Sequence, residues 1–162
     1  MRRITSALLA GMFAVGIIAA PVAAAPQKSI AEIAIANGSF TTLVAALSCT
    51  GLVPADNASL TVFAPTDSAF GKLGLNKNNV CKLPKTLLTK ILTYHVAGQE
   101  LFAKDVLAAK KIKMLSGLYT FPSVRNGNAY MNWYSKIVAT DIDASNGVIH
   151  VIDRVLVPYR LW

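Results

Sequence analysis

Cysteine, histidine and acidic side chains are scarce in this sequence. Two cysteines and two histidines in 162 residues exclude a zinc-finger array, a cysteine-rich knot and an iron–sulfur protein, since each of these classes needs more metal ligands or more bridges. Charged residues make up only 15% of the chain and hydrophobic residues 54%, which excludes a disordered tail. The 16 basic residues outnumber the 8 acidic ones, giving a formal charge of +8. The length fits one ordinary domain plus an extension.

Patterns that carry catalysis or bind metals are also missing. The Gly-x-Ser-x-Gly signature of a serine hydrolase is absent, and neither His95 nor His150 has the neighbours of a catalytic or zinc-binding histidine. The segment 141–152 begins like a calcium loop, but Asn146 stands where the template needs glycine and Ile152 where it needs glutamate. We therefore expect no enzymatic activity, no cofactor and no metal site.

The first 24 residues have the organisation of a signal peptide. A basic start, Met1–Arg3, precedes an uncharged run over 4–20, and small residues over 22–25 suit a signal peptidase that cuts after Ala24. A transmembrane anchor is the alternative, because an apolar run of about 20 residues can cross a bilayer. No second apolar run of membrane length follows, so we expect no transmembrane segment after cleavage. We expect a secreted protein, extracellular or periplasmic, in which residues 25–162 form one domain.

Export makes Cys49 and Cys81 a candidate disulfide. An even number of cysteines in an oxidising compartment favours pairing, and these two are 32 residues apart. The loop-entropy treatment assigns a bridge of this span about 3–4 kcal/mol of stability. Two free buried thiols are the alternative.

Helix signals dominate residues 26–92, and strand signals dominate the remainder. Ser29 and Glu32 have the spacing of a capping box, and Ser39 is the predicted cap of the next helix. Asn126 is followed by glycine, which predicts a tight hairpin turn. The predicted strands cover 60–63, 94–96, 112–115, 118–124, 129–134, 136–141 and 148–157. Helices first and strands later, without regular alternation, predict an α+β fold with an antiparallel sandwich.

Three stretches together resemble the fasciclin-like (FAS1) family. They are Thr61–Phe70 (TVFAPTDSAF), Leu92–Val96 (LTYHV) and Asn146–Pro158 (NGVIHVIDRVLVP). Their order and spacing also agree with the family, and the resemblance covers about residues 28–158. It implies a compact antiparallel β-sandwich wedge with helices packed along one edge, in a secreted, single-domain member.

The resemblance also implies an extracellular adhesion or interaction role without catalysis. It places Tyr94 and His95 in or beside the region linked to adhesion. The acidic–aliphatic pair Asp105-Val106 is similar to integrin-directed motifs proposed in animal members. The residues by themselves also allow a different interpretation of His95, as a partly buried ring that bonds to backbone or hydroxyl groups.

Four residues of the first and third motifs are interpreted as scaffold. Thr66 or Asp67 is placed to cap the helix that follows the first strand, since both offer oxygens to free backbone amides. His150 lies inside the last predicted strand, and Asp153 follows in the same apolar segment. Family signatures of this kind mark folding constraints more often than contact surfaces.

The basic residues are spread along the chain, and their charge favours an anionic polysaccharide, envelope lipid headgroups or an acidic protein as partner. Export and the lack of a nucleic-acid-binding fold argue against nucleic acid. We expect a monomer that binds a cell-surface, matrix or envelope protein or polysaccharide. The alternative function is an extracellular carrier of a small apolar ligand, suggested by the aromatic cluster Tyr130, Trp133 and Tyr134. Asn37 and Asn57 begin glycosylation sequons.

Overall fold

The computed structural model describes residues 27–158. The predicted signal peptide, 1–24, and both ends of the predicted domain 25–162 lie outside the described residues. The helices are α1 (Ile30–Asn37), α2 (Thr41–Thr50), α3 (Asp67–Gly71), α4 (Lys85–Thr93) and α5 (Ala103–Ala108). In this part of the chain no helix has both the length and the apolar character needed to cross a membrane.

The strands form one large and one small sheet. They are β1 (Leu60–Pro65), β2 (Val96–Ala97), β3 (Ile112–Lys113), β4 (Tyr119–Thr120), β5 (Pro122–Arg125), β6 (Asn128–Met131), β7 (Ser135–Ala144) and β8 (Gly147–Ile152). Six strands pair in the order β2-β1-β8-β7-β6-β5, while β3 and β4 pair with each other. A bridge between Ala97 and Met114 links the two sheets. The α+β class predicted from the sequence is confirmed.

One pairing corrects the expectation of an antiparallel arrangement. β1 runs parallel to β8, with Leu60 opposite Gly147 and Pro65 opposite Ile152, so the large sheet is mixed. Both strands are buried along almost their whole length, which is typical of parallel central strands. The chain between them supplies the long crossover that a parallel pair requires. A side chain at Gly147, whose φ is 140°, would overlap the Leu60 backbone, so this junction requires glycine.

The helix ends show how the first motif holds the fold together. Ser29 and Glu32 form the predicted capping box of α1. Ser39 does not cap α2; instead Asp67 accepts hydrogen bonds from the Thr42 amide at 2.7 Å and the Thr41 hydroxyl at 2.8 Å. Partial burial raises the pKa of Asp67, but the hydrogen bonds from these two threonines lower it by more. The pKa of Asp67 therefore lies below its usual value.

Thr66, in the same first motif, caps α3, and the disulfide ties α2 to the segment before α4. Thr66 caps α3 by accepting a hydrogen bond from the Ala69 amide at 3.2 Å. The predicted disulfide is confirmed: Cys49 in α2 is bonded to Cys81 in a short 3-10 turn, with 5.9 Å between their Cα atoms. The bridge therefore joins α2 to the segment that leads into α4.

Two hydrophobic clusters lie on either side of the central strands. The first packs α1, α2 and α4 against β1 and β8, and Phe40, Phe70 and Leu92 are among its buried members. The second contains Phe63, Tyr94 and residues of the later strands. Successive residues of a strand point to opposite faces, which is why β1 contributes to both clusters.

The β5–β6–β7 part of the large sheet has one buried and one outward face. Met131, Ser135 and Ile137 point inward and are buried. Alternation along the strands then places Arg125, Tyr130 and Lys136 on the opposite, outward face. Pro122 begins β5, one of the two edge strands of this sheet, where a residue without an amide donor is tolerated.

Candidate functional site

The side chains of Tyr94 and His95 lie inside the protein, with 0% and 2% of their surface exposed. The Tyr94 hydroxyl donates to the carbonyl of Tyr119 at 2.8 Å and accepts from the Asn132 side-chain amide at 3.0 Å. In this conformation neither side chain of the pair presents a surface to a partner. The interpretation of His95 as a buried, bonded ring therefore agrees with its position.

His95 is bonded to the backbone through both ring nitrogens. Its Nδ1 lies 2.8 Å from the Ile91 carbonyl, and its Nε2 lies 2.8 Å from the Leu156 amide nitrogen. The amide can only donate, so Nε2 accepts, Nδ1 carries the proton, and the ring is neutral. Burial lowers the pKa of His95 to about 4, against the opposing effect of the Ile91 hydrogen bond. A ring held in this way joins α4 to the C-terminal segment and has no nitrogen free for catalysis.

His150 joins distant segments in the same manner. Its Nε2 lies 2.8 Å from the Leu101 carbonyl, and its Nδ1 accepts from the Asp141 amide at 3.3 Å. Burial lowers the pKa of His150. The Leu101 hydrogen bond and the Asp141 charge act in the opposite direction but do not cancel this effect, so the pKa stays below its usual value. Asp153 is also structural in position, because it accepts from the Lys136 amide at 2.8 Å and pairs with Lys72.

Asp105 and Val106 are placed by α5 and not by an exposed loop. Asp105 accepts a hydrogen bond from the Phe102 amide at the start of this helix, and it is half-buried. Val106 is 1% exposed and belongs to the second hydrophobic cluster. The pair therefore does not present two adjacent side chains to a partner in this structure. Residues 27–158 also contain no cluster of three or more histidine, cysteine, aspartate or glutamate side chains able to hold a metal ion.

A different region exposes the combination of aromatic and basic side chains that binding surfaces use. We call it the aromatic–basic face and define it by Phe121, Arg125, Tyr130, Trp133 and Lys136, of which Arg125 and Trp133 are exposed and the other three half-buried. Phe121 and Trp133 stack with ring centroids 5.8 Å apart and only 6° between the planes. Trp133 remains 59% exposed. Sequence reasoning noted the aromatic cluster but missed Phe121, whose partner lies across the hairpin.

Two cations in this part of the chain lie over aromatic rings. The Arg125 guanidinium carbon is 4.8 Å from the Tyr130 ring centroid, and Arg125 also donates to the Trp133 carbonyl. The Lys111 ammonium is 4.5 Å from the Tyr119 ring centroid. Such contacts stabilise a cation by the negative face of the ring and hold it beside the aromatic surface.

Buried Tyr94 is connected to the aromatic–basic face through the Asn132 side chain. The Asn132 side chain accepts from the Phe121 amide at 3.0 Å while it donates to the Tyr94 hydroxyl. Asn132 also precedes Trp133 in the tight connection between β6 and β7. The buried tyrosine of the second motif is thus one hydrogen bond away from the loop that presents Trp133.

An apolar groove lies in another part of the domain. Its volume is about 310 Å³, and α1, α2 and the loop that follows α2 form its walls. Ile35 and Val53 are 66% and 77% exposed along it. Leu47 and Pro54 also line two smaller apolar cavities that continue toward β1. The groove is lined almost wholly by apolar side chains, which suits an apolar ligand.

Comparisons with known proteins identify the fold family. A sequence profile of the Fasciclin domain matches residues 38–158. The chain belongs to the fasciclin domain family. It is 41% identical over 134 residues to Protein sll1483 from Synechocystis, a match that covers 80% of this chain and 73% of that protein. The resemblance read from the three motifs is confirmed.

Other similar proteins differ widely in length from this fasciclin domain. It is 36% identical to immunogenic protein MPB70 from Mycobacterium bovis, over 82% of this chain and 70% of that protein. It is 33% identical to transforming growth factor-beta-induced protein ig-h3 from Sus scrofa, of which the match covers 20%. Among solved structures it is similar to a FAS1 domain pair from the insect cell adhesion molecule Fasciclin I, with a TM-score of 0.47 and 21% identity over 78% of this chain and 44% of that chain.

Proposed function

We propose that this fasciclin domain is exported and acts as an adhesion module that binds a cell-surface, matrix or envelope component without chemical turnover. The observation that carries the proposal is the aromatic–basic face, an exposed sheet surface with stacked rings and adjacent cations. Aromatic and arginine side chains are enriched where proteins bind partners. Family membership supports the same role, because the fasciclin resemblance implies adhesion or interaction.

The disulfide supports the export part of the proposal. Bridges such as Cys49–Cys81 form and persist in oxidising compartments, and the sequence over 1–24 has the pattern of a cleaved signal peptide. Fractionation of the producing cells tests this point. The protein is expected in the medium or the envelope fraction, with an N-terminus near residue 25. Full-length protein in the cytoplasm with reduced cysteines would contradict export.

An attachment assay tests the adhesion part. The purified protein is incubated with intact envelope or matrix material from its source, and the bound fraction is measured beside a variant with Trp133→Asn. Wild-type protein is expected to be retained and the variant to be released at least tenfold more readily, since an exposed aromatic anchor carries much of the binding energy at such surfaces. Equal retention of both proteins would contradict a role for this face.

A second candidate function, carriage of a small apolar ligand, is favoured by the groove beside α1 and α2. Its volume of about 310 Å³ and its apolar lining suit such a ligand. Solvent extraction of protein purified from its source tests the idea, because a carrier would release a stoichiometric apolar compound. Val53→Lys, at the exposed rim, would then lower the amount extracted, whereas Trp133→Asn would not. An empty extract would contradict the carrier function.

A further inference from the structure

We infer that the aromatic–basic face binds an acidic polysaccharide, with a sugar ring stacked on Trp133 and a sugar carboxylate held by Arg125. The inference rests on the proposed function, since it names the partner of the same surface. It is carried by three features of that surface: the geometry of the ring pair, the backbone conformation that presents it, and the distribution of charge around it.

Trp133 offers a flat and fixed surface to a ligand. One face of the indole is braced by Phe121 in a nearly parallel stack, and 59% of the side chain remains exposed. The face of an aromatic ring is electron-rich, and the C–H groups of a sugar ring carry partial positive charge, so the two attract one another. A braced ring loses little freedom when a ligand stacks on it, and this raises affinity.

The backbone is held in an uncommon conformation at this ring. Asn132 and Trp133 have φ values of 49° and 64°, in the left-handed region. Asparagine tolerates that region, but a bulky residue there is a genuine outlier. Such strained positions cluster at ligand-binding sites, where the surrounding structure maintains them. Here the hydrogen bonds of Asn132 to Phe121 and Tyr94 maintain the turn.

Arg125 provides the group that recognises a carboxylate. Its guanidinium has five N–H donors. One donates to the Trp133 carbonyl, and the group lies over the Tyr130 ring. Lys72–Asp153 is the only ion pair within residues 27–158, so no acidic side chain there neutralises Arg125. A planar guanidinium that already lies beside the aromatic surface is suited to bind a carboxylate with two parallel hydrogen bonds.

The segment that carries the face is basic, and Asp153, which accepts from the Lys136 amide and pairs with Lys72, is an acidic side chain beside it. Acidic residues are absent from the 35 positions between Asp105 and Asp141, a segment that contains Lys110, Lys111, Lys113, Arg125 and Lys136. Lys136 stands opposite Tyr130 in the sheet, and Lys113 stands opposite Tyr119 in the smaller one. The surface therefore attracts a polyanion and gives little reason to prefer a neutral polysaccharide.

The layout of the face favours an extended chain over a membrane surface. Beyond Trp133, Tyr134 lines an open cleft of about 400 Å³ whose rim carries Arg154. A surface that inserts into a bilayer buries a continuous apolar face, whereas here Arg125 lies over the Tyr130 ring and Lys136 stands opposite Tyr130 in the sheet.

Binding of defined polymers tests the inference directly. The mature protein is titrated with polygalacturonate, a linear polymer of uronic acid, and with neutral dextran as the comparison. Tight, salt-sensitive binding to polygalacturonate and little binding to dextran are expected, because carboxylate contacts are screened by added salt. Vesicles of an anionic phospholipid and single-stranded poly(dT) are tested under the same conditions, since both also carry repeated negative charge.

Four variants locate the binding site. Trp133→Asn is expected to weaken polygalacturonate binding at least tenfold without loss of folding, because asparagine tolerates the left-handed backbone. Arg125→Gln is expected to weaken it by a similar factor and to reduce its salt dependence. The matched controls are Lys85→Gln, which removes an exposed charge elsewhere, and Val53→Ala, which trims an exposed apolar side chain elsewhere. Both controls should bind like the wild type.

Several results would overturn the inference. They are equal binding to dextran, tighter binding to vesicles or poly(dT), or a loss of binding with Lys85→Gln as large as with Arg125→Gln. The proposed function is separable from this outcome. If the wild type fails to bind polygalacturonate but still attaches to envelope or matrix material through Trp133, the polysaccharide inference fails and adhesion stands. If it attaches to neither, adhesion fails as well.

Discussion

Two regions of the molecule differ in how they place their large side chains. One is the segment with Tyr94 and His95, and the other is the connection that carries Trp133. The former buries both side chains and bonds their polar atoms within the protein, with 0% of Tyr94 and 2% of His95 exposed. The latter leaves a large ring exposed and a guanidinium without an acidic partner in the described residues. The family motif thus identifies the domain, while the exposed tryptophan and the arginine beside it lie in a segment outside the motifs.

Removal of the disulfide should have the largest effect on stability and should leave the Trp133 hairpin unchanged. The double variant Cys49→Ala, Cys81→Ala is expected to lose about 3–4 kcal/mol of unfolding free energy, because the unfolded chain regains the freedom of a loop across 32 residues. Urea unfolding measures this loss. The folded variant should retain polymer binding, since the bridge lies among the helices. A loss below about 1 kcal/mol would contradict the assigned stabilisation.

Lowering the pH should reduce the free energy of unfolding by a similar amount, because His95 is buried in its neutral form. The unfolded chain protonates His95 near pH 6.5, whereas the folded protein does so only near a pKa of about 4. The contribution of neutral His95 to the free energy of unfolding is therefore fully present above pH 6.5. It falls by roughly 3 kcal/mol as the pH drops to 4. His150, whose pKa is also lowered, acts in the same direction.

Unfolding curves of wild type and His95→Gln at pH 7 and pH 4.5 measure the effect of this ring. Glutamine cannot titrate, so the variant should lose less stability between the two pH values than the wild type does. Equal losses in both proteins would show that His95 does not cause the acid sensitivity.

Tyr94→Phe probes a hydrogen-bonded contact that joins the two regions. The change removes the hydroxyl that bonds to Tyr119 and Asn132, and an unpaired buried partner costs about 1–3 kcal/mol. Polygalacturonate binding should also weaken, by a smaller factor than in Trp133→Asn, because the loop that carries the ring is less firmly held. Thermal unfolding and titration of the same sample measure both effects. Unchanged stability would contradict the supporting role of Tyr94.

Trp133→Asn should have the smallest effect on stability. The side chain is mostly exposed, and asparagine is better suited than tryptophan to a φ of 64°. The melting temperature is expected to stay within a few degrees of the wild type, with any change toward higher stability. A large fall would mean that the Phe121–Trp133 stack stabilises the fold, and it would break the distinction between the two regions.

Local features of the fold followed from the sequence, and so did the Cys49–Cys81 disulfide, because only two cysteines are present; the other long-range features did not. The Ser29–Glu32 capping box and the turn after β5 depend on neighbouring residues, so their patterns were sufficient. The parallel β1–β8 pair depends on strands far apart in the chain, which no local pattern specifies. The cap of α2 failed for the same reason, since Asp67 reaches it from another element.

The candidate site was only partly visible in the sequence. The aromatic residues Tyr130, Trp133 and Tyr134 were conspicuous, but their composition did not separate core packing from exposure. The stack with Phe121 and the position of Arg125 over Tyr130 depend on the hairpin register. Conversely, the family motif directed attention to Tyr94 and His95, because a signature does not show whether a residue is exposed.

Attachment and melting temperature, measured on the same preparations of His95→Gln and Trp133→Asn, separate the buried histidine from the exposed tryptophan. We predict that His95→Gln melts at a lower temperature yet attaches fully while it remains folded. We predict that Trp133→Asn melts near the wild-type temperature and attaches at least tenfold more weakly. The opposite pattern, with attachment lost in a stable His95→Gln protein and retained in Trp133→Asn, would contradict the account.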